Sequence, residues 1–295
     1  MTDQDHAFTE HRWRLPFGEP VDLAAWPTSP PADAGDPGRW DADRQHETKR
    51  LARHQEVLFA HDTHALLCVL QGMDSAGKDS AIRKVLSGVN PAGCDVHAFG
   101  RPSADELEHD FLWRVHARVP RRGRVAVFNR SHYEDVVTVR VHPELLEAAG
   151  LRSRRHLESL WEKRFSAIRA FEHHLADSGI VVVKVFLHLA RDEQRKRLLA
   201  RLDKPHKRWK ADPSDVRARA HWDAYQAAWA DAIARTHRPW APWYVIPADD
   251  KPYARLQLAR LLADTLDRLD LRRPAESEAR VAALEAMREA LQGED

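Results

Sequence analysis

Cysteine is nearly missing from this chain. Among 295 residues only Cys68 and Cys94 occur, both in apolar, strand-like stretches. Two buried, reduced thiols are therefore expected, not a disulfide framework or a metal pair. Long hydrophobic runs are missing as well, so no membrane span is expected. The opening MTDQDHAFTEHRWRLPFG has no apolar segment of the kind a secretory signal needs. These absences favour the cytoplasm. A surplus of one charge is also lacking: 46 Lys and Arg face 45 Asp and Glu, a net charge of +1. Bulk charge therefore does not make the chain a polyanion binder. Neither a repeat nor a low-complexity linker interrupts residues 41–271.

What remains is a chain 43% hydrophobic and 31% charged, the balance of a globular protein with a sizeable core. Residues 1–40 are rich in Pro, Asp and Gly without periodicity, and read as an extended arm packing through Trp13, Phe17 and Trp26. Helices are expected at 41–60, 77–88, 103–118, 191–203, 213–236 and 250–271, and a long helix or a helix pair at 151–178. Ser103 and Glu106 give one of them a capping-box start. Between the helices lie five apolar runs: HALLCVLQG (64–72), CDVHAFG (94–100), RVAVFN (124–129), IVVVKVFLHL (180–189) and WYVIP (243–247). They suit buried parallel strands, and the alternation predicts an α/β fold with a five-stranded parallel sheet covered on both faces. The expected organisation is an arm at 1–40, one domain at 41–271 with a helical insertion at 191–236, and a charged helical tail at 272–295.

The stretch Gly72-Met73-Asp74-Ser75-Ala76-Gly77-Lys78 fits G-x-x-x-x-G-K between a strand and a helix, the context a phosphate loop requires. Gly72 and Gly77 let the backbone N–H groups turn inward as an anion nest, the helix start adds positive potential, and Lys78 supplies a mobile charge. The next residue is Asp79, so the hydroxyl that usually holds Mg²⁺ is displaced to Ser80. Asp74 within the loop is the candidate substitute, because a carboxylate among phosphates needs a divalent cation between them. At the end of the third apolar run, Asn129, Arg130, His132, Tyr133, Glu134 and Asp135 follow at once. Ligands of doubly wound sheets bind at such strand ends, which places these residues beside the loop. Asp135 is the second metal candidate, and Arg130 can meet a transferring phosphoryl group.

The 191–219 stretch concentrates cations. Arg197 and Arg201 are spaced i,i+4 on one helix face, and Lys204, Lys207, Arg208 and Lys210 follow around Pro205. A lid of this kind brings arginines to a phosphoryl transfer, and a long strip of charge suits a repetitive anion. Nucleic acid would be drawn to the same strip, but Trp209, Trp222, Tyr225 and Trp229 read as core residues instead of base-stacking platforms.

GMDSAGKDS, GVNPAG (88–93), FLWRVHARVP (111–120), FNRSHYEDV (128–136) and DEQRKRLLAR with KRWK (207–210) together resemble the second polyphosphate kinase family, in order over roughly 40–270. The resemblance implies a P-loop kinase-like three-layer α/β/α sandwich with a helical lid. It implies transfer of a terminal phosphate between inorganic polyphosphate and a nucleotide, with Mg²⁺ or Mn²⁺. Asn-Arg-Ser-His-Tyr-Glu-Asp is most similar to the subgroup that takes AMP to ADP and ADP to ATP. Asp74, Lys78, Arg130 and Asp135 are implied at the site, Arg197 and Arg201 on the lid, and Lys84 and Asn90 in matching stretches. Homo-oligomers are implied, with no nucleic-acid or membrane partner. An ATP-dependent nucleotide kinase and a non-catalytic P-loop protein holding nucleic acid are the readings that stand against it.

Overall fold

The computed structural model describes residue 8 and residues 11–148, 157–210 and 212–294, with the backbone alone at 147, 148, 157, 207, 210, 214 and 215. All five apolar runs form strands: β1 Ala65–Gly72, β2 Cys94–Ala98, β3 Val125–Asn129, β4 Ile180–His188 and β5 Trp243–Pro247. Every pairing is parallel, in the order β2-β3-β1-β4-β5. β1 and β4 are buried at every position, which is why they read as unbroken apolar runs.

Twelve α-helices are present among the described residues: α1 Trp40–His61, α2 Lys78–Val85, α3 Ala104–Leu107, α4 Trp113–His116, α5 Thr138–Val141, α6 Glu144–Ala148, α7 Leu157–Asp177, α8 Arg191–Leu202, α9 Ser214–Ala220, α10 Trp222–Thr236, α11 Lys251–Asp267 and α12 Glu278–Gln292. The pleat sends alternate side chains to opposite faces. Leu66, Cys68 and Leu70 of β1 join Val181, Val183 and Val185 of β4 under α1, α2 and α11. Ala65, Leu67 and Val69 join Val182 and Phe186 on the other face, under α7 and α10. The result is the three-layer sandwich.

Two expected helices are broken. The 103–118 stretch keeps its capping box, with Glu106 N donating to Ser103 Oγ and Ser103 N donating to Glu106 Oε2. It then stops after one turn, because the Asp110 carboxylate takes the Leu112 N–H at 2.9 Å and starts a fresh turn at α4. The 213–236 stretch divides at His221, whose ψ of 23° leaves the helical basin. Of its aromatic residues Trp222 and Trp229 are buried, as expected, whereas Trp209 is 78% exposed on the 3₁₀ turn Pro205–Lys210.

The arm covers β5, which would otherwise be an open edge. Val245 N donates to Trp13 O at 2.9 Å, Leu15 N donates to Trp243 O at 3.3 Å, and Trp26 Nε1 donates to Val245 O at 2.9 Å. Phe17 is outward-facing, 41% exposed, and stacks on His237 at 4.2 Å. Both cysteines are free thiols, and burial pushes that of Cys68 up to about 12. No helix among the described residues is long and apolar enough to cross a membrane.

Candidate active site

β1 ends at Gly72 and α2 starts at Lys78, so the chain must reverse within the loop between them. Gly72 has φ 149°, and a Cβ there would lie 2.8 Å from Leu187 O. Gly77 has φ 110° at the helix start. Neither backbone position suits a side chain, and the reversal aims the loop N–H groups and the start of α2 at one point. Lys78 folds back over the loop, its Nζ donating to Gly72 O at 2.6 Å and Met73 O at 3.3 Å. Burial lowers its pKa and Arg130 adds to that effect, while Asp74, Glu134 and Asp79 oppose it. Three carboxylates and one further cation therefore share its field.

β3 lies next to β1 and delivers the second half of the site. Arg130 adopts φ 64°, a left-handed conformation uncommon outside glycine, while its N–H still donates to Leu70 O at 3.1 Å. The turn throws the Arg130 side chain across the loop, where Nη2 meets Asp74 Oδ1 at 2.6 Å. Ser75 shows the same strain, with φ 67°. Asn129 Nδ2 donates to Asp79 Oδ1 at 2.9 Å. With its amide oxygen facing Ser131, Gln71 accepts from Ser131 N and Oγ at 3.0 Å and donates to Glu134 Oε1 at 3.2 Å. Thr138 Oγ1 donates to Glu134 Oε2 at 2.6 Å. Tyr225 of α10, expected in the core, stands half-buried within the field of Asp74, Arg130 and Glu134, and burial raises its pKa.

Asp135 occupies different company. It lines a cavity of about 410 Å³ together with Arg114, Phe111, His109, Lys163 and Arg164. Arg114 Nη2 stands 3.8 Å from Asp135 Oδ2, and Arg164 Nη1 donates to Asp135 O at 2.5 Å. Asp135 Oδ2 is buried and has no hydrogen-bond partner. Burial lifts this carboxyl to about 6, against the pull of Arg114 and Arg164. An anionic ligand with an apolar ring fits such a cavity, with cations on one wall and Phe111 on another.

Arg197 and Arg201, expected on a lid, lie on α8. Arg197 is buried, and it is fastened. Its Nη1 donates to Ser75 O (3.2 Å) and Ala76 O (3.0 Å), its Nη2 to Ala248 O (2.7 Å) and Asp249 O (2.8 Å), and its Nε to Glu193 Oε1 (2.8 Å). A guanidinium with its donors so engaged ties the loop carbonyls to the segment after β5. Arg201 Nη2 meets Ser75 Oγ at 2.6 Å, and Gln194 Nε2 donates to Asp74 O at 3.0 Å. Helix α8 is thus docked on the phosphate loop.

Other expected site residues fall elsewhere. His132 and Tyr133 are buried beneath the sheet and leave the nucleotide-binding set. The left-handed turn at Arg130 rotates them inward, where Tyr133 OH donates to Glu172 Oε1 at 2.7 Å and Lys184 Nζ donates to Glu172 Oε2 at 2.6 Å. Burial pulls Lys184 down to about 8 and lowers His132 as well. Burial works to raise Glu172, and Lys184 with His132 outweighs it, so the pair is ionic at neutral pH. Asn90 spends its carboxamide oxygen on Ala92 N at 2.9 Å, capping a 3₁₀ turn. Ser80 Oγ donates back to Gly77 O at 2.9 Å. Lys84 is half-buried on α2, Lys204 and Arg208 are exposed, and the side chains of Lys207 and Lys210 lie outside the described residues.

Arg114, Arg164, Glu172 and Lys184 are the residues that sequence reasoning missed. Lys184 had a signal: it is the lone charge inside the apolar IVVVKVFLHL, and such a charge needs a buried partner. Among the described residues no three His, Cys, Asp or Glu side chains gather as a metal cluster. The carboxylate of Asp74 in the loop nevertheless offers hard oxygen donors that suit a divalent ion taking its remaining ligands from phosphates, and Asp135 Oδ2, in its own cavity, lacks a hydrogen-bond partner.

Residues 37–274 match the family model described as Polyphosphate kinase 2. An ADP-polyphosphate phosphotransferase of Rhodopseudomonas palustris is 44% identical over 286 residues, covering 95% of this chain and 97% of the relative. An AMP/ADP-polyphosphate phosphotransferase of Meiothermus ruber is 46% identical over 226 residues, 77% of this chain and 80% of the relative. The crystal structure of a polyphosphate kinase 2 from Arthrobacter aurescens superposes with a TM-score of 0.84 at 38% identity, covering 95% of this chain and 98% of that one.

Proposed function

The chain belongs to the polyphosphate kinase 2 family, and from that premise we propose that it moves the terminal phosphoryl group of inorganic polyphosphate to AMP and then to ADP, giving ADP and ATP. The observation that carries this reading is the meeting of two strand ends at one point: Lys78 and Asp74 from the end of β1, Arg130 from the end of β3. The polyphosphate end occupies the loop Gly72–Lys78. The acceptor enters through the cavity of Arg114, Lys163 and Arg164, its base against Phe111.

An acceptor phosphate oxygen attacks the terminal phosphorus, the bridging P–O bond breaks, and polyphosphate leaves one unit shorter. No general base is needed, because the attacking oxygen is already anionic at neutral pH. The chain's task is positioning and charge neutralisation. Lys78 and Arg130 meet the equatorial oxygens, and the loop N–H groups hold them in line. Asp74 and Asp135 would hold Mg²⁺, or Mn²⁺, which when bound neutralises phosphate charge at the site.

The test is to incubate the protein with AMP, Mg²⁺ and long-chain polyphosphate and follow ADP and ATP by chromatography. Both products should form, and Lys78→Ala should lose at least about 10²-fold in kcat while staying folded. No product from either AMP or ADP removes the proposal, as does normal turnover in a folded Lys78→Ala chain. ADP without ATP confines it to the first step. An ATP-dependent kinase would ignore polyphosphate altogether.

A further inference from the structure

Glu172 of α7 and Lys184 of β4 form a fully buried ion pair that the transfer chemistry above does not use. A core does not need such a pair. Taking two charges out of water costs about what their attraction returns, and apolar residues of similar volume often serve as well. What the pair supplies is geometry. Lys184 Nζ donates to Glu172 Oε2 at 2.6 Å, to Thr236 O at 2.7 Å and to Tyr133 OH at 3.0 Å, which engages all of its protons. Tyr133 OH donates in turn to Glu172 Oε1 at 2.7 Å, and His132 Nε2 stands 3.5 Å from the same oxygen. The 3₁₀ turn His132–Asp135 is thereby fastened to α7, to β4 and to the end of α10.

This turn begins two residues after Arg130, whose φ of 64° a side chain keeps only where its surroundings over-determine it. From the front, β1 ties the segment through Leu70 O, which accepts from Arg130 N, and through Gln71, which accepts from Ser131 N. From behind, the tie is Tyr133 on Glu172. Lys184 also stands in register with Val69, as Leu187 does with Gly72, so one strand pairing sets both the anchor and the start of the phosphate loop. We propose that Glu172, acting through Tyr133 and neutralised by Lys184, is a positioning residue that holds the left-handed turn and so keeps the Arg130 guanidinium at the loop. This rests on the role of Arg130 in the transfer proposed above.

The test is a kinetic cycle with AMP and long-chain polyphosphate. Tyr133→Phe keeps the ring and its packing on Trp243 but loses the bond to Glu172. Its kcat should fall about tenfold while KM for either substrate stays within about twofold, because a transition-state contact is misplaced and ground-state binding is not. Arg130→Ala should fall further, and adding Tyr133→Phe to it should cost less than about twofold more. A residue that acts through Arg130 has nothing left to position in that background, whereas a merely structural one costs the same in both. Equal costs overturn the proposal, as does an unchanged kcat in Tyr133→Phe. Should Tyr133→Phe fold poorly, Glu172→Met/Lys184→Met removes the anchor without leaving a buried charge, and the same cycle with Arg130→Ala decides. Hydrogen exchange reads the anchor without activity: the Arg130 amide, held by Leu70 O, should exchange about tenfold faster in Tyr133→Phe. Unchanged exchange there overturns the anchor. A wild-type chain that transfers nothing to AMP or ADP, in which Tyr133→Phe still speeds that exchange, would refute the proposed function and leave the anchor standing.

Discussion

Replacing Arg197 by Ala distinguishes a fastening from a mobile arginine. The side chain spans two backbone segments, Ser75–Ala76 in the phosphate loop and Ala248–Asp249 after β5, with Glu193 behind it. Each hydrogen bond to a charged group contributes about 1.5–3 kcal/mol when removed singly. The five do not sum, because water reaches the freed carbonyls and Glu193 is partly exposed. Breaking one partner of a buried ionic arrangement costs about 3–5 kcal/mol, and that is the figure expected here. At about 2–4 °C per kcal/mol for a domain of this size, the melting temperature should fall by about 10 °C. Calorimetry on the ligand-free protein measures this, in parallel with kcat. Arg197→Lys should be intermediate, since one ammonium cannot reach both segments. A variant that melts within about 1 °C of wild type while losing kcat would refute the fastening and restore a transition-state arginine.

Three further outcomes follow from the buried charges and the loop. Burial lifts Asp135 to about 6 from an ordinary 3.8, so its ionised form opposes folding above pH 6, and that penalty fades as pH falls through 6 toward 4. Asp135→Asn should therefore raise stability at pH 7, by at most about 3 kcal/mol, while lowering turnover; a less stable variant by urea titration contradicts this. Lys184→Met leaves Glu172 buried without its cation and should cost about 3–5 kcal/mol, most of it recovered in Lys184→Met/Glu172→Gln. Strictly additive costs in that double-mutant cycle would show that the two residues are not coupled. Gly72→Ala places a Cβ 2.8 Å from Leu187 O and should abolish transfer and lower stability, whereas Gly100→Ala, with nothing within 4 Å, should stay within about 0.5 kcal/mol of wild type. An active, stable Gly72→Ala chain would mean that the loop adapts.

Several elements were legible in the sequence because they rest on local causes. Gly72 and Gly77 announce a tight anion loop, the runs around Val69 and Val183 announce buried parallel strands, and Ser103 with Glu106 announces a helix start. Asp74, Lys78 and Arg130 converge because β3 pairs directly with β1, and strand ends in one parallel sheet open on one edge. The direction of a side chain is different in kind. Arg197 and Arg201 share a helix face by spacing, and the docking of α8 turns that face onto a loop carbonyl and the Ser75 hydroxyl. His132 and Tyr133 follow Arg130 in sequence, yet a single left-handed residue rotates them under the sheet.

By itself, then, the sequence determined a phosphate loop on a parallel sheet and the acidic and basic residues that gather at its rim, since periodicity, glycine and charge are local properties. Tertiary structure alone decided the rest: that Arg114 and Arg164 reach Asp135 from separate elements, that Lys184 on β4 finds Glu172 on α7, and that Arg255 on α11 meets Ser80. Those relations depend on which faces of distant elements meet when the sheet is covered, and burial then sets what each charge costs and what it can do.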